Sequence, residues 1–381
     1  MIPLSIPNIS GNELKYVKDC LDTGWISSAG EYVNKFEEAI QSYTGAKYAI
    51  ACMNGTAGLQ VSLILAGVTK NDIVIAPNLT FVATLNAISY TSAQAILIDN
   101  CEDSWQIDVD LLEKWLIENT TTIIGDKPIT VEKLSGKKIG AIMPVYVLGG
   151  FVNTDKLLKI STKYGIPIIE DSTEALGSFK KGKHAGTFGL TGVLSFNGNK
   201  IISTGGGGMI LTNSKDIAIR ARHITTTAKS DPLEYFHDEV GYNYRLVNVL
   251  AAIGVAQMEN FEQILKRKKE IDALYKKELE GVGDIKFQTN NQDSNPNCWL
   301  FTFRTKKMRE LLIYLNNRKI QSRPFWTPMN NLPMYKDLMY ITEYDISNKI
   351  FKECISIPSS SNLSIIDQKK VIAEIKKFYK S

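Results

Sequence analysis

The stretch Ser195-Phe196-Asn197-Gly198-Asn199-Lys200-Ile201-Ile202-Ser203-Thr204, followed by four glycines at positions 205–208, is the most informative part of this chain. Apolar patterns at 193–196 and 208–212 predict two neighbouring strands around it, expected to be antiparallel. A lysine between a strand end and a glycine turn can lose its proton and form an imine with an aldehyde. Taken alone, Lys200 is better explained as a solvated surface lysine, because lysine is usually exposed. A nucleotide P-loop is excluded, because the Gly-Lys-Ser/Thr that it needs is absent.

Outward from this stretch, short apolar segments alternate with helical patterns. The apolar segments are typical of buried strands and lie at residues 48–52, 73–76, 95–98, 142–147 and 167–171. The segments between them have helical spacing and lie at residues 57–66, 81–89, 111–117 and 154–164. This alternation predicts an α/β fold with a mixed, mostly parallel central sheet that helices cover on both faces.

Two segments depart from this alternation. The polar stretch 125–138 is expected to be a surface insertion. A long charged helical pattern begins near residue 259, and short strands with amphipathic helices follow from about residue 285. A chain of 381 residues is long enough for two domains. We therefore predict a large domain over residues 1–260 and a smaller C-terminal α+β domain over residues 261–381.

The composition excludes several classes of protein. The net charge is only +4, from 44 basic and 40 acidic residues, so neither nucleic acid nor a membrane surface is an expected partner. The five cysteines form no Cys-x-x-Cys pair and the three histidines show no metal-ligand spacing, which predicts reduced thiols and no metal site. No apolar run approaches the roughly 20 residues of a membrane span, and no signal peptide is recognised. We therefore expect a cytoplasmic protein.

Small, polar and aromatic residues follow successive predicted strands, at the sheet edge where α/β proteins bind ligands. Gly55 and Thr56 open a helix, and N–H groups at a helix N-terminus form an anion site, although an ordinary helix cap is the simpler explanation. Ser195 could bind a phosphate oxygen. Phe81 could stack on a flat cofactor ring, with core packing as the simpler alternative.

Asp171 ends a very apolar strand and follows Glu170 directly. Two adjacent carboxylates are costly to bury unless they are paired. A protonated pyridinium nitrogen would be such a partner for Asp171, and this pairing makes the ring an electron sink. The alternative is a helix-capping Asp171 with Glu170 at the surface. Four predicted features follow one another along the chain: an anion site, a stacking ring, a carboxylate and Lys200. Together they favour a site for pyridoxal phosphate.

Motifs along nearly the whole chain resemble those of one enzyme family. They include Ile169-Glu170-Asp171-x-x-Glu174-Ala175-x-Gly177, Ser195-Phe196-x-x-x-Lys200, Gly206-Gly207-Gly208 and Gly241-Tyr242-Asn243-Tyr244-Arg245. The family is the DegT/DnrJ/EryC1/StrS group of pyridoxal phosphate sugar aminotransferases. The resemblance implies fold type I of the pyridoxal phosphate enzymes and a homodimer with active sites at the subunit interface.

The resemblance also implies a role for each matching residue. Lys200 would be the Schiff-base lysine and Asp171 the partner of the ring nitrogen. Glu174 would lie near the ring hydroxyl, where many relatives carry Gln or His, so its hydrogen-bonding role is open. The remaining cofactor contacts would come from Phe81 by stacking, from Gly55, Thr56 and Ser195 to the phosphate, and from Asn243 of the other subunit to the same phosphate.

A function follows from the same resemblance. Relatives with His in place of the lysine act as dehydratases, so Lys200 favours transamination. L-Glutamate would convert the cofactor to pyridoxamine phosphate, and a nucleotide-linked keto sugar would then accept the amino group, with Lys200 carrying the proton. Segments such as Asp22-Thr23-Gly24-Trp25 and Thr225-Thr226-Thr227-Ala228-Lys229 are most similar to the legionaminic-acid subgroup. That subgroup aminates C4 of a UDP-linked 4-keto-6-deoxy-N-acetylhexosamine for bacterial surface glycans.

Four residues are candidates for nucleotide-sugar contact: Trp25, Ser27, Lys229 and Arg323. Each has an ordinary structural alternative, with Trp25 in the core, Lys229 in solvent and Arg323 in a surface ion pair. Rival functions are a C3 aminotransferase, an aminotransferase for dTDP or GDP sugars, and a non-catalytic regulator that binds pyridoxal phosphate. The complete set of Lys200, Asp171 and Ser195 argues against the regulator.

Overall fold

The structure is a computed structural model that describes residues 1–126, 128–231, 233–290 and 292–380. Within these ranges the helices are α1 (Glu13–Thr23), α2 (Glu31–Thr44), α3 (Gly55–Leu65), α4 (Ala83–Tyr90), α5 (Val109–Asn119), α6 (Thr154–Tyr164), α7 (Lys215–Thr225), α8 (Asn248–Glu259), α9 (Phe261–Leu279), α10 (Met308–Asn317), α11 (Ile346–Glu353) and α12 (Ile365–Lys380). None of the helices in these ranges is long and apolar enough to cross a membrane.

The strands over the same ranges are short. They are β1 (Tyr48–Cys52), β2 (Asp72–Pro77), β3 (Gln94–Ile98), β4 (Thr120–Ile123), β5 (Ile129–Glu132), β6 (Lys138–Ile142), β7 (Ile169–Asp171), β8 (Phe179–Lys180), β9 (Lys183–His184), β10 (Thr191–Ser195), β11 (Gly208–Thr212), β12 (Lys229–Asp231), β13 (Phe236–His237), β14 (Lys286–Phe287), β15 (Ser294–Asn295), β16 (Thr302–Arg304), β17 (Arg323–Pro324), β18 (Met339–Ile341) and β19 (Cys354–Ser356).

The central sheet is curled and mixed. One half has the strand order β18-β3-β2-β6-β5-β4 and the other half the order β1-β11-β10-β7. Parallel bridges from Ile142 to Ile168 and from Val145 to Asp171 join the two halves. Strands β18, β3, β2 and β6 are parallel, as are β7 and β10, whereas β11 is antiparallel to both of its neighbours. The predicted mixed, mostly parallel sheet is therefore confirmed.

The carboxyl ends of β1, β7 and β10 lie at one edge of this sheet, together with the start of β11. Gly208 opens β11 opposite both Cys52 and Ser195. A Cβ atom on Gly208 would lie 2.6 Å from the carbonyl carbon of Asn54 and 2.8 Å from the nitrogen of Gly55, so only glycine fits. The last glycine of the run thus lets the start of α3 approach the sheet.

The position of helix α3 follows from its composition. It is apolar on all sides, with Leu59, Val61 and Leu63 fully buried. Gly58 faces the sheet, where a Cβ atom would lie 2.8 Å from the side chain of Val193. Burying a Leu or Val side chain stabilises the fold by about 1.5–3 kcal/mol. The helix is therefore held firmly, with its N-terminus at the strand ends.

The C-terminal part combines helices with a second sheet. Strands β14, β16, β19 and β17 form an antiparallel four-stranded sheet in that order. Its core includes Tyr275 of α9, Leu311 of α10 and Val371 of α12. Strands β15 and β18, however, pair with β8 and β3 of the preceding part. The expected smaller α+β part is present, and its boundary at residue 260 stays a prediction.

One predicted strand ends earlier than expected. The pattern at 142–147 predicts a strand, but β6 ends at Ile142 and only Val145 continues the parallel pairing. The chain then turns at Leu148, whose φ of 57° is left-handed. Pro144 has no N–H to donate to a neighbouring strand, and the Val147 N–H donates to the side-chain oxygen of Gln106 at 3.1 Å. The apolar pattern did not show this, because the acceptor is a side chain 41 residues away in the sequence.

The polar stretch at 125–138 lies mostly at the surface, as expected for an insertion, but it also contributes a strand to the central sheet. Strand β5 lies within it and pairs with β4 and β6 at the edge of the central sheet. Thr130 is buried there, and its hydroxyl donates to the carbonyl of Tyr164 at 2.6 Å. The threonines of this hairpin give little hydrophobic alternation, which concealed the strands. Lys127 lies outside the described residues.

Glu170 is fully buried, so the alternative that placed it at the surface is wrong. Its carboxylate accepts hydrogen bonds from the Tyr146 hydroxyl at 2.5 Å and from the N–H groups of Gly186 at 2.9 Å, Phe188 at 2.7 Å and Gly189 at 2.6 Å. Burial raises the pKa of Glu170, and these four donors oppose that shift. The carboxylate fastens the 186–189 loop to β7 and so holds the end of that strand.

Replacing Glu170 by Gln should destabilise the protein by about 2 kcal/mol or more, because at least one buried N–H loses its acceptor. Urea unfolding of the protein without cofactor measures this loss. Glu118→Gln is the control, since Glu118 is exposed and its substitution should change the free energy of unfolding by less than about 0.5 kcal/mol. An equally small effect of Glu170→Gln would contradict the fastening role.

Candidate active site

A cavity of about 420 Å³ opens at the carboxyl ends of the strands. It brings together six residues that the sequence predicts for the site: Gly55, Thr56, Phe81, Glu174, Ser195 and Lys200. These come from the start of α3, the segment before α4, the loop after β7, and the end of β10 with the segment that follows it. The predicted convergence of strand ends on one site is therefore present in the structure.

Lys200 lies in this cavity with its side chain only 11% exposed. Its Nζ is 3.9 Å from Oε1 of Glu174 and 4.3 Å from the centre of the Trp299 ring. Burial lowers the pKa of the Lys200 amine, because desolvation disfavours the charged form, and the charges of Glu174 and Asp171 oppose that shift. The surface-lysine alternative is thus wrong, and the amine is placed to act as a nucleophile.

Glu174 is a buried carboxylate held by the backbone. Its Oε2 accepts the Leu148 N–H at 2.7 Å, which leaves Oε1 facing Lys200. Burial raises the pKa of Glu174 to about 7, and the positive charge of Lys200 opposes the shift. Burial thus brings the two pKa values closer together, because desolvation raises that of the carboxyl group and lowers that of the amine.

Asp171 is fixed by short hydrogen bonds at the end of β7. Its Oδ2 accepts from the Thr84 hydroxyl at 2.8 Å, and its Oδ1 accepts from the N–H of Thr173 at 3.2 Å. The hydroxyl of Thr80 lies 2.7 Å from that of Thr84 and supports it. A buried carboxylate with neutral donors remains available to pair with a protonated ring nitrogen, which fits the predicted cofactor.

The phosphate end of the predicted site fits an anion. Asn54 caps α3, with its Oδ1 accepting the Ala57 N–H at 2.8 Å, so the ordinary helix cap is present. The turn at Gly55 also packs closely against two neighbouring side chains. A Cβ atom on Gly55 would lie 3.0 Å from the methyl of Thr173 and 3.3 Å from the Ser195 hydroxyl. N–H groups at a helix N-terminus beside two hydroxyl side chains suit a phosphate.

Phe81 is not part of the core, so the core-packing alternative is wrong. The side chain is 51% exposed and lies at the rim of the cavity. Its ring centre is 6.3 Å from that of Trp326, with an edge-to-face angle of 69°. One face of Phe81 therefore remains open to a flat ligand.

Sequence analysis missed the aromatic wall opposite the phosphate end. Trp299 and Trp326 line the cavity, with ring centres 6.4 Å apart. The Trp299 indole N–H donates to the carbonyl of Asn199, the residue before Lys200, at 2.7 Å. Both tryptophans are about 100 residues or more from Lys200, and no local motif marks them. Thr84, the support of Asp171, was also missed as a site residue, although it follows Phe81 closely.

Asp171 is buried and does not line the cavity. Five other predicted site residues also lie outside the cavity lining in the described chain: Trp25, Ser27, Lys229, Asn243 and Arg323. Trp25 is mostly exposed, so its core alternative is wrong. The Nζ of Lys229 lies 4.3 Å from the centre of the Tyr235 ring. Arg323 is exposed, and its guanidinium donates to the carbonyl of Ser322 at 3.5 Å. The binding roles of all five stay predictions.

One cluster of side chains has metal-ligand character, which the spacing of the histidines does not show. His223, Asp238 and Glu239 place one ligand atom each within 4.8 Å of one another. The Nε2 of His223 is already 2.7 Å from Asp238, and Glu239 is paired with Arg220. These existing bonds account for the cluster, which joins α7 to the segment after β13.

Comparisons with known proteins agree with this geometry. Residues 7–376 match the DegT/DnrJ/EryC1/StrS aminotransferase family. A GDP-perosamine synthase of Escherichia coli O157:H7 is 33% identical over 381 residues, covering 99% of this chain and 98% of that protein. A GDP-perosamine synthase of Vibrio cholerae is 33% identical over 384 residues, covering 100% of this chain and 99% of that protein.

A solved structure supports the fold. A DegT/DnrJ/EryC1/StrS aminotransferase from Brucella abortus matches 97% of this chain and 96% of its own, with a TM-score of 0.89 and 24% identity. The predicted type I architecture is therefore confirmed. Aminotransferases of the matched family depend on pyridoxal phosphate, so the predicted cofactor is confirmed too. The chain belongs to the DegT/DnrJ/EryC1/StrS aminotransferase family.

Proposed function

We propose that this aminotransferase moves an amino group from L-glutamate to C4 of a nucleotide-linked 4-keto-6-deoxy sugar. The observation that carries the proposal is the buried Lys200 amine, 3.9 Å from Glu174 in a cavity that also contains the start of α3. When bound, pyridoxal phosphate supplies an aldehyde for the amino group and a ring that withdraws electrons. The side chains around it supply binding, orientation and proton transfer.

Each part of the cavity has a proposed task. Gly55, Thr56 and Ser195 bind the phosphate, and Asp171 keeps the ring nitrogen protonated. Phe81 covers one ring face with its exposed side. The hydrogen bonds from Thr84 and Thr173 to Asp171 hold that carboxylate in place. The carboxylate therefore does not need to reorient when the cofactor ring binds.

Lys200 moves the proton in this proposal. Its lowered pKa favours the neutral amine, which can accept a proton from a substrate carbon and return it to a neighbouring carbon. Glu174 stabilises the ammonium form between the two transfers, because its Oε1 lies 3.9 Å from Nζ. The hydrogen bond from Leu148 prevents Glu174 from turning away.

For the acceptor we favour a UDP-linked 4-keto-6-deoxy-N-acetylhexosamine, as the resemblance to the legionaminic-acid subgroup implies. A GDP-linked keto sugar is the second candidate, because two relatives at 33% identity over nearly their whole length are GDP-perosamine synthases. We assign the reaction to the cytoplasm and its product to bacterial surface glycans, with Trp25, Ser27, Lys229 and Arg323 as contacts to the nucleotide sugar.

We also propose a homodimer with shared active sites. Asn243 is exposed and lies outside the cavity lining of its own chain. Large apolar side chains are exposed along the neighbouring β12–β13 hairpin and the turn beyond it, namely Leu233, Tyr235, Phe236 and Val240. Such a patch is typical of an interaction surface. A second copy would cover it and bring Asn243 to the phosphate end of the other site.

A panel of nucleotide keto sugars tests the proposed reaction. The purified enzyme with cofactor should be yellow, L-glutamate should bleach it, and the true acceptor should restore the colour. Mass spectrometry and NMR of the product identify the nucleotide and the aminated carbon. Restoration by the UDP sugar alone supports the first candidate, and restoration by the GDP sugar supports the second. Amination at C3 would contradict the C4 assignment.

The same assay separates the enzyme from a regulator. Lys200→Ala should lack both the colour response and turnover, with a loss of at least about 1,000-fold. No bleaching by any amino donor would contradict the proposed function and favour a protein that binds the cofactor without turnover.

Mixing Lys200→Ala and Asn243→Ala subunits tests the shared site. A mixed dimer would have one complete site, whereas each parent dimer would have none. Random mixing should therefore restore about a quarter of the unaltered activity. Lys200→Ala subunits remixed with themselves are the control. If the mixture shows only the summed activity of the two variants measured separately, the proposal that each subunit supplies Asn243 to the other subunit's site is contradicted.

Glu174→Gln should lower the pKa of Lys200 further, because the charge that favours the ammonium is removed. Asp171→Asn should lower it less, since Glu174 is the stronger of the two influences. Only the neutral amine reacts with fluorodinitrobenzene, so the pH midpoint of Lys200 modification in cofactor-free protein measures both shifts. Glu174→Asp keeps the charge and serves as the control. A midpoint that stays unchanged or rises in Glu174→Gln would contradict the pairing.

A further inference from the structure

Lys268 is a second buried lysine, and the proposed mechanism does not use it. It lies on α9 with only 3% of its surface exposed. Its Nζ donates to two backbone carbonyls, those of Trp299 and Ser359. Burial lowers the pKa of Lys268 to about 7. Burying a lysine amine costs free energy unless the amine is hydrogen-bonded. The carbonyls of Trp299 and Ser359 supply those hydrogen bonds to Lys268.

The first carbonyl belongs to the aromatic wall of the cavity. The Trp299 ring centre lies 4.3 Å from Nζ of Lys200, and the indole N–H donates to the carbonyl of Asn199 at 2.7 Å. The residue before the tryptophan, Cys298, has a left-handed φ of 56°. Such a conformation persists only where the surroundings hold it. Lys268 supplies one of those restraints at Trp299.

The second carbonyl, that of Ser359, is connected to Asn199 through the N-terminal segment. The N–H of Ser359 donates to the carbonyl of Leu4 at 2.9 Å. The next residue, Ser5, donates its hydroxyl to the carbonyl of Asn199 at 3.1 Å. Two chains of contacts thus run from Lys268, through Trp299 and through the N-terminal segment, and both end on the residue that precedes Lys200.

We propose that Lys268 is a positioning residue of the active site, which holds Trp299 against Lys200 and thereby fixes the reactive amine in its buried position. The inference rests on the proposed role of Lys200. Without the Lys268 donors, two buried carbonyls lose their partners and the Trp299 segment shifts. Lys200 then becomes more exposed to water, and its amine behaves more like that of an ordinary lysine. A residue that only stabilised the core would leave the Lys200 environment unchanged.

Lys268→Met tests this, with Lys266→Met on the exposed face of the same helix as the control. The first measurement is the pH midpoint of Lys200 modification by fluorodinitrobenzene in cofactor-free protein, followed by peptide mass spectrometry. Lys268→Met should raise this midpoint, and Lys266→Met should leave it unchanged. In the loaded enzyme, kcat should fall by on the order of tenfold while KM for the sugar changes little, because the amine is misplaced.

Trp299→Phe gives an independent test that does not alter Lys268. It removes the indole donor to Asn199, so the Lys200 midpoint should rise as it does in Lys268→Met. The double variant should show no rise beyond that of Lys268→Met, because the path through Trp299 begins at Lys268 and is already broken in that variant. Lys268→Arg keeps donors for the carbonyls and should restore a midpoint close to that of the unaltered protein.

Two outcomes would overturn the proposal. One is a Lys268→Met protein that is less stable but has an unshifted Lys200 midpoint, and the other is additive shifts in the double variant. If Lys268→Met does not fold, an unshifted midpoint in Trp299→Phe overturns it as well. An ordinary lysine midpoint for Lys200 in the unaltered protein is a different result, since it contradicts the proposed role of Lys200 itself.

Discussion

The burial of the Lys200 amine is the constraint on which the rest of the site depends. An amine removed from water loses its preference for the charged form, and two buried carboxylates nearby restore part of that preference. The distance of 3.9 Å between Nζ and Glu174 leaves the pair without a direct hydrogen bond. The amine is therefore held close to a negative charge and can still react. Leu148 fixes Glu174 in this arrangement, and Thr84 and Thr173 fix Asp171.

Backbone N–H groups hold several buried carboxylates in place. Glu174 is held by the N–H of Leu148, a residue in the left-handed region. Asp171 ends β7, which is fastened in turn by the four donors on Glu170. The C-terminal part contributes Trp299 and Trp326, so the cavity closes only when both parts of the chain are in place.

Much of the fold and site was predictable because the determining signals are local. Strand β1, strand β11 and helix α6 coincide with their apolar patterns, and Lys200, Glu174 and Ser195 share one cavity. The strand at 142–147 ends early because Pro144 has no N–H and the Val147 N–H donates to the distant side chain of Gln106. The threonine hairpin shows little hydrophobic alternation. Trp299 and Lys268 act through contacts that only the folded chain creates, so no motif could reveal them.

The central claim is that Lys200, among all lysines, holds the cofactor. Borohydride reduction of the loaded enzyme, followed by proteolysis and peptide mass spectrometry, tests it most directly. The account predicts that the reduced cofactor is bound to the peptide containing Lys200 and to no other. Attachment to Lys268, another buried lysine whose pKa is lowered, or to a surface lysine would contradict the account.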